Sequence, residues 1–399
     1  MKDGTLVRST AATTLDRIVR TGAYSNIVVH VTDLTEHDRS AHQSLVFDAL
    51  RWMIPVDSAI SEASSRPIDQ IDPKVLSVLR IAATELLVQD HSAHGVVDGA
   101  VDAVAVVGVP RAKGYVNAVA RSLAASQRAS LGSADAFPPW MKDRLAGTFP
   151  DVDGLLAALN EPARPGLRAR SGQNLDAIPV HGVPHAYYAS DSTDMDVLST
   201  SGAVDIIDPA SSAVAAALCV QPDDIVGDLT AAPGGKTRAL ADRITGAGWV
   251  AASDRHRSRL TKAIRRSADI DQIHWLRMDA TSPAFRAASF DRVLLDAPCT
   301  GLGTVRRRPE IRHRITADSP SRYGAIQRTM LGHALNLVKP GGRLVYSVCT
   351  LFPEETTDVV AGLGGRPPDM TVGDILGDGR MLTPLNAGTD GMFIVVFDR

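Results

Sequence analysis

Asp228-Leu-Thr-Ala-Ala-Pro-Gly-Gly-Lys-Thr237 decides how the second half of the chain folds. Ile225 and Val226 lead into it as a buried strand, Pro233-Gly234-Gly235 stops that strand, and Lys236 to Ile244 resumes a helical spacing. Strand, tight turn and helix in this order place outward-facing N–H groups and glycines where a nucleotide-like ligand can approach the backbone. Two phosphate-loop patterns fail here. GxxxxGK[ST] needs Gly where Thr230 stands, and GxGxxG is absent, so the stretch does not read as an NTPase. The alternative is a purely structural turn of an α/β sheet.

Downstream, helix and strand alternate. Trp249 to Ser253 is a strand ending at Asp254, Ser258 to Ala268 a basic helix, Ile273 to Met278 a strand ending at Asp279, and Asp291 to Leu295 a strand ending at Asp296. Ser321 to Val338 reads as a long helix and Arg343 to Val348 as a strand ending at Cys349. The tail from Met392 to Phe397 reads as a final strand, in an antiparallel hairpin beside an otherwise parallel sheet. Successive strands thus deliver acids to one carboxyl edge, where open α/β sheets bind ligands. Asp254 stands 19 positions beyond Gly235, the interval at which a carboxylate meets ribose hydroxyls. Singly, each acid could equally cap a helix.

Upstream, residues 9 to 128 show helical spacing and no strand series. Ser9 to Arg20, Ser40 to Trp52, Pro73 to Val88 and Gly95 to Val107 are the clearest segments, Asp72 capping the third with Pro73 in its first turn. An Ala-, Ser- and Gly-rich stretch from Ala124 to Pro139 reads as a linker. The expected division is 1–128, helical; 129–200, linker and small connecting subdomain; and 201–399, α/β. Arg164, Arg168 and Arg170 in the connecting region read either as a solvated loop or as an RNA contact.

At 399 residues the chain exceeds one core. A net charge of −3 and a pI near 6.4 exclude coating of nucleic acid by bulk charge but leave room for a basic patch. The three cysteines, Cys219, Cys299 and Cys349, form neither a disulfide framework nor a CxxC pair, which points to a reduced, cytoplasmic setting. His181 and His185 lack acidic or Cys partners at ligand spacing, so no metal is expected. No signal peptide opens the chain, and Asp98 and Asp102 interrupt its most apolar run, so no membrane span is expected.

Asp296-Ala-Pro-Cys-Thr-Gly-Leu-Gly303 and Tyr346-Ser-Val-Cys-Thr-Leu-Phe-Pro-Glu-Glu355 each set a cysteine immediately after a sheet strand. With the Ala-Ala-Pro-Gly-Gly-Lys turn, Arg306 to Arg308, Pro309-Glu310 and Asp390-Gly-Met-Phe393, the chain resembles the RNA 5-methylcytosine methyltransferases of the Sun/Fmu or RsmB type, which act on small-subunit ribosomal RNA. The N-terminal helices, with Leu79-Arg80 and Gly114-Tyr-Val-Asn117, look like the NusB-like RNA-binding domain of that branch.

The resemblance implies a helical NusB-like bundle followed by a Rossmann-like methyltransferase domain, with S-adenosyl-L-methionine as cofactor. Its site would use Thr230, Ala231, Ala232, Pro233, Gly234, Gly235 and Lys236, with Asp254 on the ribose, Asp279 near the adenine and Asp296 at the reacting centre. Carbon 5 of cytosine is a poor nucleophile, so a thiolate must first attack carbon 6 of a flipped base. By analogy that thiolate is Cys349, Cys299 assists release, and Asp296 bonds the ring edge. Arg306, Arg307, Arg308, Arg312 and Arg314 are expected to grip phosphates of ribosomal RNA, the protein acting as a monomer. The chain departs from the family in Thr230 for Cys, Val348 for Thr and Thr356 for Asn. Alternatives are the same chemistry on transfer RNA, which the helical domain argues against, and a non-catalytic RNA-binding assembly factor. A DNA methyltransferase would use the Pro-Cys thiol as nucleophile.

Overall fold

The computed structural model describes residues 4–31, 34–126, 131–170, 175–195, 197–198 and 202–399. Chain contacts divide it into two compact units: residues 1–146, 151–160 and 307–314 form one, and 147–150, 161–306 and 315–399 the other.

The first unit is helical. Thr5–Thr21, Glu36–Arg51, Met53–Ser64, Pro73–Leu87, Ala93–Val106 and Lys113–Ala125 surround one apolar core. Pro73–Leu87 is its central helix, and Leu79, Ile81 and Ala82 are fully buried. Asp72 caps it as expected, its Oδ1 accepting from Lys74 N at 3.0 Å and Val75 N at 3.3 Å. Arg80 and Asp57 form a bidentate pair, and so do Arg8 and Glu85.

This unit runs past residue 128. Pro139–Ala146 and Val152–Asn160 belong to it, because Phe137, Met141, Leu145, Leu155, Leu156 and Leu159 are all buried. The expected linker from Ala124 to Pro139 is therefore ordered at Ser133–Ala136, with Ala136 inside; its residues 127–130 lie outside the described ones.

The second unit holds two sheets. The smaller is antiparallel, with β1 (Gly166–Ala169), β2 (Ile178–Pro179), β3 (Ala186–Tyr188) and β4 (Val204–Ile206) in the order β2-β3-β1-β4. The larger contains β5 (Ile225–Asp228), β6 (Trp249–Asp254), β7 (Ile273–Arg277), β8 (Phe290–Asp296), β9 (Val338–Val348), β10 (Asp374–Leu376), β11 (Gly379–Leu382) and β12 (Met392–Asp398). Its order is β10-β11-β12-β9-β8-β5-β6-β7. Strands β5 to β9 are parallel and β12 joins β9 antiparallel, the mixed sheet the sequence leads one to expect. From β5 the chain moves outward through β6 to β7, then crosses back to β8 on the other side. The order reverses between β5 and β8, and the carboxyl side of that pair is where a doubly wound sheet opens its crevice.

A buried ion network fastens the smaller sheet to the helix Gly235–Ala241 that follows β5. Arg168 bridges Asp205 and Asp242, at 2.7 Å to the latter, and Arg238 Nε reaches Asp205 at 2.6 Å. Arg168 is 6% exposed and Arg170 pairs with Asp269 at 2.9 Å, so these arginines are structural rather than solvated or RNA-facing.

Candidate active site

Five strands end at the crevice, and their last residues are the ones the sequence marks. Asp228 closes β5, Asp254 β6 and Asp296 β8; Asp279 stands two residues beyond β7, and Cys349 directly after β9. Between Asp228 and the helix Gly235–Ala241 the chain turns at Gly234, whose φ of 102° is left-handed and unfavourable for any residue with a Cβ.

Asp296 is the hub. Lys236 Nζ donates to its Oδ2 at 2.7 Å, Ser347 Oγ to its Oδ1 at 2.8 Å, and Thr230 Oγ1 to its main-chain oxygen at 2.8 Å. Burial alone would lower the Lys236 pKa, but the charge and hydrogen bond of Asp296 raise it above the ordinary lysine value. Asp228 is 1% exposed, and burial raises its carboxyl to about pKa 7 against the hydrogen bond from Thr237 Oγ1 at 2.7 Å. Asp254 is 5% exposed and its Oδ1 accepts from His256 N at 2.7 Å. Asp279 is exposed, and bonds from the Thr281 amide and hydroxyl hold its carboxyl below the usual range.

The carboxylates of Asp254, Asp279 and Asp296 line this edge, and cations beside them are already engaged, Lys236 with Asp296 at 2.7 Å and Arg259 with Asp254 at 3.8 Å and with the Ala232 carbonyl, so these acids would repel a polyphosphate. They suit a ligand rich in hydroxyl and amine donors with a positive centre. The donor set therefore fits the nucleoside sulfonium S-adenosylmethionine.

Cys299 and Cys349, 50 residues apart in sequence, meet here with Sγ–Sγ 3.3 Å. The hydrogen bond with Cys349 and burial together push the Cys299 thiol well above its ordinary value, so Cys299 is the partner held protonated. Both cysteine loops are fastened by groups the sequence left without a role. Glu355 accepts from Thr300 N at 2.8 Å and from the hydroxyls of Thr300 and Thr350, while Gln327 Nε2 donates to Pro298 O at 2.9 Å. Gly303 N donates to Cys349 O at 3.0 Å, and Gly391 N to Gly303 O at 2.8 Å. A Cβ on Gly303 would lie 2.1 Å from the Gly391 carbonyl oxygen, which explains a glycine in each of two distant motifs. The sequence signals were a Thr after each cysteine and the acid pair Glu354-Glu355.

One expectation is overturned. Arg312 belongs to the helical unit and is fully buried: its Nη1 donates to Asn160 Oδ1 at 2.7 Å and to the carbonyls of Arg51 and Ala136, and its guanidinium lies 4.1 Å from the centre of the Phe137 ring. It cannot grip a phosphate. Arg314, which bonds Ala23 O and covers the Tyr24 ring, is similarly engaged. Arg308 is exposed, whereas Arg306 and Arg307 are half-buried, with Arg306 donating to Glu161 O and Pro162 O. Among the described residues no group of three or more His, Cys, Asp or Glu could hold a metal ion, and no helix is long and apolar enough to cross a membrane.

The family described as 16S rRNA methyltransferase RsmB/F matches residues 215–397, and the NusB family matches residues 5–125. Ribosomal RNA small subunit methyltransferase B of Thermus thermophilus is 34% identical, over 84% of this chain and 80% of its own length. A Bacillus subtilis protein named "Probable ribosomal RNA small subunit methyltransferase B" is 29% identical over 98% of both chains. The crystal structure of PH0851 superposes with a TM-score of 0.83 at 21% identity, covering 98% of this chain and 99% of that one, which shows a shared fold. A helical NusB domain, a mixed sheet with its acids on one edge and similarity of this extent have one reading: the chain belongs to the RsmB family of ribosomal RNA small-subunit methyltransferases.

Proposed function

We propose that this protein forms 5-methylcytosine in small-subunit ribosomal RNA through a covalent bond between Cys349 and the target base. The observation that carries this reading is the pair of thiols 3.3 Å apart beside the Lys236–Asp296 ion pair at the sheet's switch point. The methyl donor is S-adenosyl-L-methionine, which supplies an electrophilic methyl group when bound. Thr230 to Lys236 would hold it, with Asp254 on its ribose and Asp279 near its adenine.

The chain's own groups account for the rest. Cys349, as thiolate, attacks carbon 6 of a flipped cytosine, and carbon 5 becomes nucleophilic enough to take the methyl group. Cys299 is the assisting thiol of the later release step, in which water takes the carbon 5 proton, the electrons left behind re-form the carbon 5–carbon 6 double bond and Cys349 departs as thiolate. Asp296, fixed by Lys236 and Ser347, keeps a lone pair on each oxygen to accept from the cytosine amino group and from N3 once it is protonated in the covalent adduct. Because its orientation is set in advance, little reorganisation accompanies reaction. Exposed Arg308, with Arg306 and Arg307, is assigned to phosphates near the target.

Incubation of Cys299→Ala and Cys349→Ala with S-adenosylmethionine and unmodified small-subunit rRNA tests the roles. A protein–RNA adduct that survives denaturing electrophoresis with Cys299→Ala and is missing with Cys349→Ala is the expected result. Accumulation only with Cys349→Ala would exchange the roles. Absence of adduct and of methyl transfer by the unaltered protein on a competent substrate would favour a non-catalytic RNA-binding protein.

A further inference from the structure

Glu355 is a carboxyl group in an unusual position. It is fully buried in the turn Pro353–Glu355, and the donors bonded to it are all neutral: Thr300 N at 2.8 Å, Thr300 Oγ1, Thr350 Oγ1 at 3.0 Å and Gln327 Nε2 at 3.3 Å. A carboxylate buried without a cation is costly to keep, and a group placed only for stability would more cheaply be apolar. Thr300 N and Gln327 Nε2 can only donate, and both do so to Oε2, while the two threonine hydroxyls reach Oε1. An ionised Glu accepts from all four at once; Gln could keep its oxygen on Thr300 N and Gln327 Nε2 only by turning its N–H₂ toward the two hydroxyls, both of which would have to reverse and accept.

The partners also have a pattern. Thr300 follows Cys299, and Thr350 follows Cys349. Their hydroxyl oxygens lie 2.9 Å apart and both donate to Oε1. Gln327, itself fully buried, donates to Pro298 O on the other side of Cys299, while Tyr346 on β9 donates to the Glu355 carbonyl at 2.8 Å. The carboxylate thus ties the end of β8 to the end of β9 within one residue of each thiol. No hydrogen bond between main-chain groups joins Cys299 to Cys349 among those described.

We propose that Glu355 is a positioning residue whose carboxylate clamps the two cysteine loops together and so sets the separation of the Cys299 and Cys349 sulfur atoms. This rests on the reading of those thiols given above, but it makes a claim about geometry that can be measured without any methyl transfer. The sulfurs at 3.3 Å need only close to about 2.05 Å to form a disulfide. The rate of that closure therefore reports how well the loops are held. Diamide, an azo oxidant, serves as probe: the two thiols give up two electrons and two protons and become the disulfide, and the azo group becomes the hydrazine.

The test compares unaltered protein, Glu355→Gln, Thr350→Val and Thr350→Ser, all as the full chain. Formation of the Cys299–Cys349 disulfide is timed by peptide mass spectrometry, with exposed Cys219 as internal control and the thermal transition recorded for each variant. Glu355→Gln is expected to slow closure by about tenfold or more at an unchanged transition temperature, since misplacement by a fraction of an ångström costs rates of that order. Thr350→Val is expected to slow it too, and Thr350→Ser, which keeps the hydroxyl, to restore the original rate. Closure at the unaltered rate in a folded Glu355→Gln overturns the proposal. If Glu355→Gln does not fold, equal rates for Thr350→Val and Thr350→Ser overturn it. Failure of the unaltered protein to methylate RNA would remove the proposed function while leaving this comparison intact.

Discussion

Replacing Asp228 by Asn should remove a loss of stability that the unaltered protein suffers as the pH rises. Asp228 is 1% exposed at the end of β5, and burial lifts its carboxyl from 3.8 to about pKa 7. Its folded pKa lies above its unfolded one, so the native state binds the extra proton between these values. Stability that is present below pH 4 is lost as the pH rises toward 7. Three pKa units at about 1.4 kcal/mol each give a penalty on the order of 4 kcal/mol above pH 7. Asn keeps an oxygen to accept from Thr237 Oγ1 and carries no charge to desolvate. The advantage of Asp228→Asn over the unaltered protein should therefore grow by about 1.4 kcal/mol per pH unit from pH 5 to near 7, then level off. Urea unfolding of both proteins across that range, followed through hydrogen exchange of the β5 amides, measures the difference. A difference that stays constant from pH 5 to 8 would refute the assignment of the burial penalty to this carboxyl.

Two further outcomes follow from packing. Arg312→Ala leaves Asn160, two main-chain carbonyls and the Phe137 ring without their partner, and should destabilise the helical unit by about 3–5 kcal/mol in chemical denaturation. Gly303→Ala must displace backbone, because its Cβ would lie 2.1 Å from the Gly391 oxygen; a loss of about 1–3 kcal/mol is expected, together with faster alkylation of Cys349 by iodoacetamide as the Gly303–Cys349 bond loosens.

Much of this site was legible because its signals are local. A strand that ends in an acid, a turn that needs Gly234 and a thiol directly after a strand can each be read from a few residues, and the sheet then gathers them on one edge. Arg312 was misread because spacing within Arg306-Arg-Arg-Pro-Glu-Ile-Arg-His-Arg314 does not say which guanidinium enters a core. Its burial depends on Phe137 and Asn160, more than 150 residues away, and the only local hint is Ile311 beside it. The Glu355 clamp escaped for the same reason: its ligands come from three separated segments, and a Glu after Pro-Glu reads equally well as an exposed turn.

The departures from the family acquire physical content once side chains are placed. Thr230, where the family has Cys, uses its hydroxyl to hold the main chain of Asp296 at 2.8 Å, so the substitution adds a tether between the ends of β5 and β8. Val348, where the family has Thr, is fully buried with Met381 and Phe393 and stands opposite Phe393 in the sheet. Successive side chains of a strand point to opposite faces. A residue packed into the core at 348 therefore turns the side chains at 347 and 349 toward the other face, where Ser347 meets Asp296 at 2.8 Å and Cys349 meets Cys299. An apolar group suits this position better than a hydroxyl, which would have to find a partner inside the core. Thr356, in place of Asn, donates to Phe352 O at 2.9 Å and closes the turn that carries Glu355. Thr230 and Thr356 thus each supply a hydrogen bond that holds a strand end or the turn beside it, and Val348 fills the core next to Cys349.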